Sequence, residues 1–246
     1  MIIKLSQDVL CFIRNYCIYI AVLIFTTTLI QTTLDYIFLP KQEDLIFIYD
    51  FIGVSLQSMI KELSVDQQYI LLKLSVANII SKLLSNTFLF GCTLTMLHLV
   101  SMSDKNNQSF NVKHILKLAI PIFPKLLLLI LYTTLFIQLG LMVAIIPGIL
   151  LTMIISLTPI IIITNNNKSI VEAMCLSIKV SFRNIHLVIP PILLCFLIKT
   201  IFILILAHYS HFWIFFSKIL INGLSNILSV VILIYLYRLY MIIKTI

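Results

Sequence analysis

Charge is the first thing this chain lacks. Only 11% of its 246 residues are Asp, Glu, Lys or Arg, and the acids number nine. Soluble domains carry roughly a quarter charged residues, so an ordinary water-soluble fold is excluded. Paired cysteines are missing as well: Cys11, Cys17, Cys92, Cys175 and Cys195 are odd in number and scattered, with no CxxC and no His–Cys ligand spacing. Neither a disulfide framework nor a metal site is indicated, and most of these side chains read as buried apolar fillers. There is no GxxxxGK[ST] phosphate loop, GxGxxG fingerprint, HExxH or H-x-E deaminase signature.

What the chain has is apolar length. Hydrophobic residues make up 61% of it, and the mean hydropathy is +1.13. The run from Leu126 to Asn167 holds 42 residues without one formal charge. At about 1.5 Å per residue a single helix of that length would measure roughly 60 Å, about twice the hydrocarbon core of a bilayer. The run must therefore fold back on itself. Pro147-Gly148 sits at its midpoint, where a helix breaker and a residue free to take a positive φ predict a tight membrane hairpin.

Six segments of spanning length emerge: Cys17–Leu39, Ser81–Met102, Ala119–Leu139, Pro147–Thr164, Leu187–Ala207 and Ile219–Tyr237. The fold expected is all-α, a polytopic membrane helix bundle with six transmembrane helices and short amphipathic interfacial helices. Residues 1–246 then form a single integral membrane domain with an exterior loop at 40–77. Pro121 and Pro124 open the third span and Pro190-Pro191 the fifth, because a first helical turn tolerates proline. The first span is long for a signal peptide and no small-x-small site follows it, so it reads as an uncleaved anchor.

The net charge of +8 is topogenic on this reading. Lys4 and Arg14 precede the first span, and Lys105, Lys113, Lys117 and Lys125 gather between the second and third. Lys168, Lys179 and Arg183 lie between the fourth and fifth, while Arg238 and Lys244 follow the sixth. The other side carries Lys41, Lys61, Lys73 and Lys218 together with Glu43, Asp44, Asp50, Glu62 and Asp66. Both termini should be cytoplasmic. No basic stripe with interleaved aromatics lies outside the membrane, so nucleic acid is not an expected partner and the lipid bilayer is.

Three loop segments carry helical signals. Leu45, Tyr49, Ile52, Leu56, Met59 and Leu63 share one helical face, which predicts an amphipathic helix on the outer surface. Ser64-x-x-Gln67 has capping-box spacing and starts a helix running into the second span. Ser169-x-x-Glu172 repeats that signature before Ile170, Met174, Ile178 and Phe182, predicting an interfacial helix before the fifth span. The stretches Ser109–Pro124 and Ser169–Pro191 resemble each other, which would make spans two–three and four–five copies of one unit.

Ionisable groups inside spans are costly and therefore start as functional candidates. Asp35 lies near the outer end of the first span, Lys82 near the outer end of the second and Lys199 in the outer half of the fifth. An Asp35–Lys199 or Asp35–Lys82 pair fits this placement. The stronger expectation is that both lysines snorkel outward and Asp35 reaches the headgroups. His208-x-x-His211, beside Tyr209, Phe212 and Trp213, reads as part of an interfacial aromatic belt. Thr26, Thr27, Thr28, Gln31, Asn86, Gln138, Asn222 and Asn226 are polar and uncharged, and helix-to-helix hydrogen bonding is their expected role. Asn222, Asn226 and Ser229 give the last span one polar stripe. No catalytic, cofactor-binding or metal-ligating set is assigned, and no cofactor is expected.

Several segments resemble the YciC-type family of bacterial inner-membrane proteins. They are Pro124-Lys125-Leu126, Leu131-Tyr132-Thr133-Thr134, Gln138-Leu139-Gly140, Ile146-Pro147-Gly148-Ile149 and Leu157-Thr158-Pro159. Leu224-Ser225-Asn226 and Ile234-Tyr235-Leu236-Tyr237-Arg238-Leu239-Tyr240 continue the likeness to the end of the chain. The resemblance implies a Gram-negative inner membrane and supplies no site residues. The function expected is non-enzymatic, with a structural, lipid-associated or partner-binding role. The alternative is a small transporter or channel using the polar faces of the spans.

Overall fold

The computed structural model describes residues 2–38, 47, 62–103, 112–165, 169–209 and 214–245. Among them the regular elements are helices: α1 (Ile2–Asn15), α2 (Cys17–Phe38), α3 (Val65–Ser103), α4 (Val112–Ala119), α5 (Phe123–Val143), α6 (Ile145–Ile155), α7 (Thr158–Thr164), α8 (Ile170–Arg183), α9 (Ile185–Tyr209) and α10 (Ile214–Thr245). Six stretches are long and apolar enough to cross a membrane: Cys17–Phe38, Val65–Ser101, Ile115–Met142, Pro147–Thr164, Ile185–Ile205 and Ile219–Lys244. The expected all-α polytopic bundle is the fold observed. The outer amphipathic helix predicted around 45–63 falls almost wholly outside the described residues.

α3 is the axis of the bundle. It packs against α2, α5 and α10, and 61% of its most apolar window is buried, against 11% for α9 at the periphery. Its start follows from the predicted capping box. The Gln67 N–H donates to Ser64 Oγ at 3.3 Å, and the Ser64 N–H donates to Gln67 Oε1 at 3.0 Å. With 39 residues α3 measures about 58 Å, so residues 65–77 of the predicted exterior loop are the first turns of the second spanning helix. Where α5 crosses it, Gly91 leaves room for the Phe123 ring. A Cβ there would come within 2.8 Å of Phe123 Cδ1.

The hairpin exists, but its turn is three residues earlier than predicted. Ala144 is the break, with φ −168° and ψ 160°. That is extended backbone, which any residue adopts, so no glycine is needed there. Pro147 is instead the third residue of α6, in the first turn, where its missing N–H costs nothing. Gly148 does not take a positive φ; its role is close approach. A Cβ on Gly148 would lie 2.9 Å from the Leu141 nitrogen, and one on Gly140 would lie 3.1 Å from Gly148 Cα. The two backbones meet because neither glycine carries a side chain.

Two other prolines, Pro159 and Pro191, open carbonyls that side chains then fill. Pro159 splits the fourth span into α6 and α7, and it cannot donate to the Ile155 carbonyl four residues back. The Thr158 hydroxyl takes that carbonyl at 2.7 Å. Residues Thr158–Ile163 of α7 are all buried, so this segment lies in the core. Pro190 and Pro191 do not open α9 as predicted but sit inside it, since the helix begins at Ile185. Pro191 leaves the Leu187 carbonyl without its N–H, and the Tyr235 hydroxyl of α10 donates to it at 3.3 Å.

α8 has the predicted capping box. Glu172 N–H donates to Ser169 Oγ and Ser169 N–H donates to Glu172 Oε2, both at 3.3 Å. Not all of the apolar residues at helical spacing are turned to the bundle. Ile178 and Phe182 are exposed, whereas Ala173, Ser177 and Ser181 are buried against α6 and α7. A further helix was not anticipated. α1 uses Leu5, Val9 and Phe12, at helical spacing, to pack on α10.

Candidate functional site in a polar seam

A polar seam runs between α2, α3 and α10, in the apolar interior where such groups are most costly. Thr27, Gln31 and Asp35 recur every four residues on α2, which puts them on one face, and all three are buried. Ser81 and Ser85 form the matching face of α3 and are also buried. The Ser81 hydroxyl lies 2.6 Å from Asp35 Oδ1 and 3.4 Å from the Gln31 carbonyl, and donates to both. One turn along, Ser85 Oγ donates to the Thr27 carbonyl at 3.5 Å.

α10 joins from the other side. Asn226 Nδ2 donates to Thr28 Oγ1 at 3.2 Å, and that hydroxyl in turn donates to the Ile24 carbonyl of its own helix at 2.7 Å. Thr26 and Thr27 likewise donate to carbonyls within α2, at 2.9 and 2.8 Å. Of the polar residues predicted to bridge helices, Asn226 and Thr28 do so through their side chains. Gln138 is exposed, and the Asn222 Nδ2 is buried without a partner among the described residues.

The candidate charges separate. Asp35 is 5% exposed and bound to Ser81, so the expectation that it reaches the headgroups is corrected. Lys82 is exposed. Lys199 Nζ donates to Ser229 Oγ at 3.1 Å, and Ser229 passes a hydrogen bond to the Ser225 carbonyl at 2.8 Å. The ammonium is therefore tied to α10 within the bundle rather than snorkelling outward or pairing with Asp35. Helix direction is the reason: side chains lean toward their own N-terminus, and α9 begins at the end opposite the expected exit. His211 lies outside the described residues, as does the side chain of His208. Among the described residues no group of three His, Cys, Asp or Glu side chains is placed to hold a metal ion.

Sequence reasoning found Asp35, Asn226 and Thr28, the partner of Asn226, but missed the partner of Asp35. Ser81 and Ser85, four residues apart on a spanning helix, were the available signal. It also read Arg238 only as a topogenic charge. In the structure the Arg238 guanidinium carbon lies 5.4 Å from the centroid of the Phe12 ring, beside Tyr237, whose hydroxyl is 3.0 Å from that of Ser101.

Residues 1–242 match the model of an uncharacterised protein family, UPF0259. A UPF0259 membrane protein of Sodalis glossinidius (strain morsitans) is 38% identical over 246 residues, covering 98% of this chain and 96% of its own length. One from Wigglesworthia glossinidia brevipalpis is 34% identical, with 98% and 95% covered. One from Serratia proteamaculans (strain 568) is 32% identical, with 98% and 97% covered. No solved structure matches. With a family match over nearly its whole length and six helices fit to cross a bilayer, this multi-pass membrane chain belongs to the UPF0259 family.

Proposed function

We propose that the chain is a non-enzymatic inner-membrane protein of the YciC type, both termini cytoplasmic, acting as a lipid-associated or partner-binding bundle. The observation that carries this reading is where the polar groups go. Asp35, Asn226 and Lys199 are each engaged by a neighbouring helix. Interhelical bonds of this kind add about 0.6 kcal/mol each and serve as glue. Cavities also fit the reading. One of about 60 Å³ is lined by Leu150, Met153, Ile154, Phe182, Val188 and their neighbours, and one of about 10 Å³ lies beside Tyr19 and Cys92. Ligand pockets run to roughly 300 Å³ or more.

The alternative, a small transporter or channel, draws on Asn222, whose buried amide nitrogen lacks an acceptor on the polar stripe of α10. A deletion strain profiled for both lipid composition and solute uptake separates the two. A changed lipid profile with normal uptake supports the bundle, and a selective uptake defect restored by the wild-type chain supports the transporter. Reporter fusions after Asn107, Asn166 and Ile246 should report cytoplasm, and fusions near Gln57 and Ser210 the exterior. An exterior C-terminus would defeat the six-span arrangement.

A further inference from the structure

We infer that Arg238, which lies over the Phe12 ring, is a binding site for a phosphate group at the membrane boundary. This deepens the lipid-associated reading and rests on it. Phe12 belongs to α1, which ends just before the first span begins at Cys17, and Arg238 lies six residues from the end of the sixth at Lys244, so their contact sits toward the ends of both spans, where headgroups are within reach. Phe12 is itself buried, and its ring is 4.8 Å from that of Tyr16. The guanidinium carbon lies over the Phe12 ring, 5.4 Å from its centroid and within cation–π range.

Stacking alone does not use the donors of an arginine. Arg238 Nε is buried with no acceptor among the described residues. A guanidinium offers five N–H donors in a planar fork, and the group that matches this fork with full charge is a phosphate or a carboxylate. At headgroup depth the phosphate is the abundant one. The surrounding charge has the right sign. Arg14 lies in the last turn of α1 and Lys244 in the last turn of α10, and among the described residues the acid on these two helices is Asp8. Tyr237, next to Arg238 in the chain, shares a hydrogen bond with the Ser101 hydroxyl.

The purified full-length chain should be stripped of lipid stepwise in detergent and followed by native mass spectrometry. Phosphatidylglycerol is the main probe, diacylglycerol the phosphate-free control and glycerol phosphate the chain-free competitor. Phosphatidylglycerol should be retained as a tightly held copy, and Arg238→Gln should weaken it about tenfold. Arg238→Lys keeps the charge but loses the fork, and should weaken it about threefold while the protein stays as abundant as wild type. Phe12→Leu should act like Arg238→Lys. Displacement by glycerol phosphate assigns the site to free phosphate esters; resistance to it assigns a lipid headgroup, and either upholds the phosphate site. Equal retention of diacylglycerol, or of phosphatidylglycerol by Arg238→Gln, would overturn it. The wider reading fails differently, through an unaltered lipid profile in the deletion strain.

Discussion

Between α2, α3 and α10 the helices are tied by hydroxyl, amide and carboxyl groups, whereas α5 and α6 meet where two glycines leave nothing between their backbones. Both regions solve one problem. Inside a bilayer, lipid tails compete for apolar surface, so helices need hydrogen bonds or close backbone approach to associate. The seam spreads its attachment over several bonds of modest worth. The hairpin concentrates its attachment in two missing side chains. The seam should therefore yield gradually to mutation and the hairpin abruptly.

The largest effect is expected at Gly148. In Gly148→Val the new Cβ would press on the Leu141 nitrogen, 2.9 Å away, and backbone atoms have no rotamer with which to escape. A cost of about 3 kcal/mol, the top of the usual overpacking range, should cut membrane abundance severalfold. Pro147→Leu should leave abundance near wild type, because Ala144 rather than Pro147 breaks the helix. Quantitative immunoblots of membrane fractions would decide. If Pro147→Leu proves as harmful as Gly148→Val, the helix breaker and not the close approach holds the hairpin.

Ser81→Ala comes next, because it takes the hydroxyl donor from a buried carboxyl group. Loss of that hydrogen bond should cost about 1–3 kcal/mol, visible as a lower Tm in detergent. The same melts test whether Asp35 and Lys199 are linked. With Asp35 on Ser81 and Lys199 on Ser229, Asp35→Asn and Lys199→Met should add to within about 0.5 kcal/mol. A clearly better double variant would mean the two charges form one pair after all. Within the seam, a Thr28→Val and Asn226→Leu cycle should give a coupling of about 0.6 kcal/mol.

The two regions were not equally legible in sequence. Spanning length is a property of apolar runs, so the six crossings could be read off directly. So could both capping boxes, whose bonds lie within four residues. The turn at Ala144 could not, because extended backbone needs no special residue, while Pro147 and Gly148 advertise a turn they do not make. Asp35 was visible as a costly group, yet its partner Ser81 is an ordinary residue until α2 lies beside it. The start of the second span was placed at Ser81 because Asp66 and Lys73 lower the hydropathy; the helix, which needs only propensity and a cap, continues through them. Which face of α8 packs inward was not legible, for a reason that holds across the bundle. Large apolar residues may face outward when the solvent is lipid, so Ile178 and Phe182 point out, and small Ala173, Ser177 and Ser181 point in.

That inversion sets up the smallest and sharpest test. Ser177 Oγ donates to the Ile154 carbonyl at 2.6 Å and Ser181 Oγ to the same atom at 3.2 Å. The carbonyl lies at the end of α6, where Pro159 interrupts the helix, so it needs an outside donor more than most. Two hydroxyls serve one acceptor, and either can stand in for the other. Ser177→Ala and Ser181→Ala should each lower stability by less than about 0.5 kcal/mol, while the double variant should lose about 1–2 kcal/mol. The excess over the sum measures the cost of leaving one buried carbonyl empty. Additive singles would show that each serine contributes independently through packing, and α8 would then be held by shape, as the hairpin is, rather than by hydrogen bonds, as the seam is.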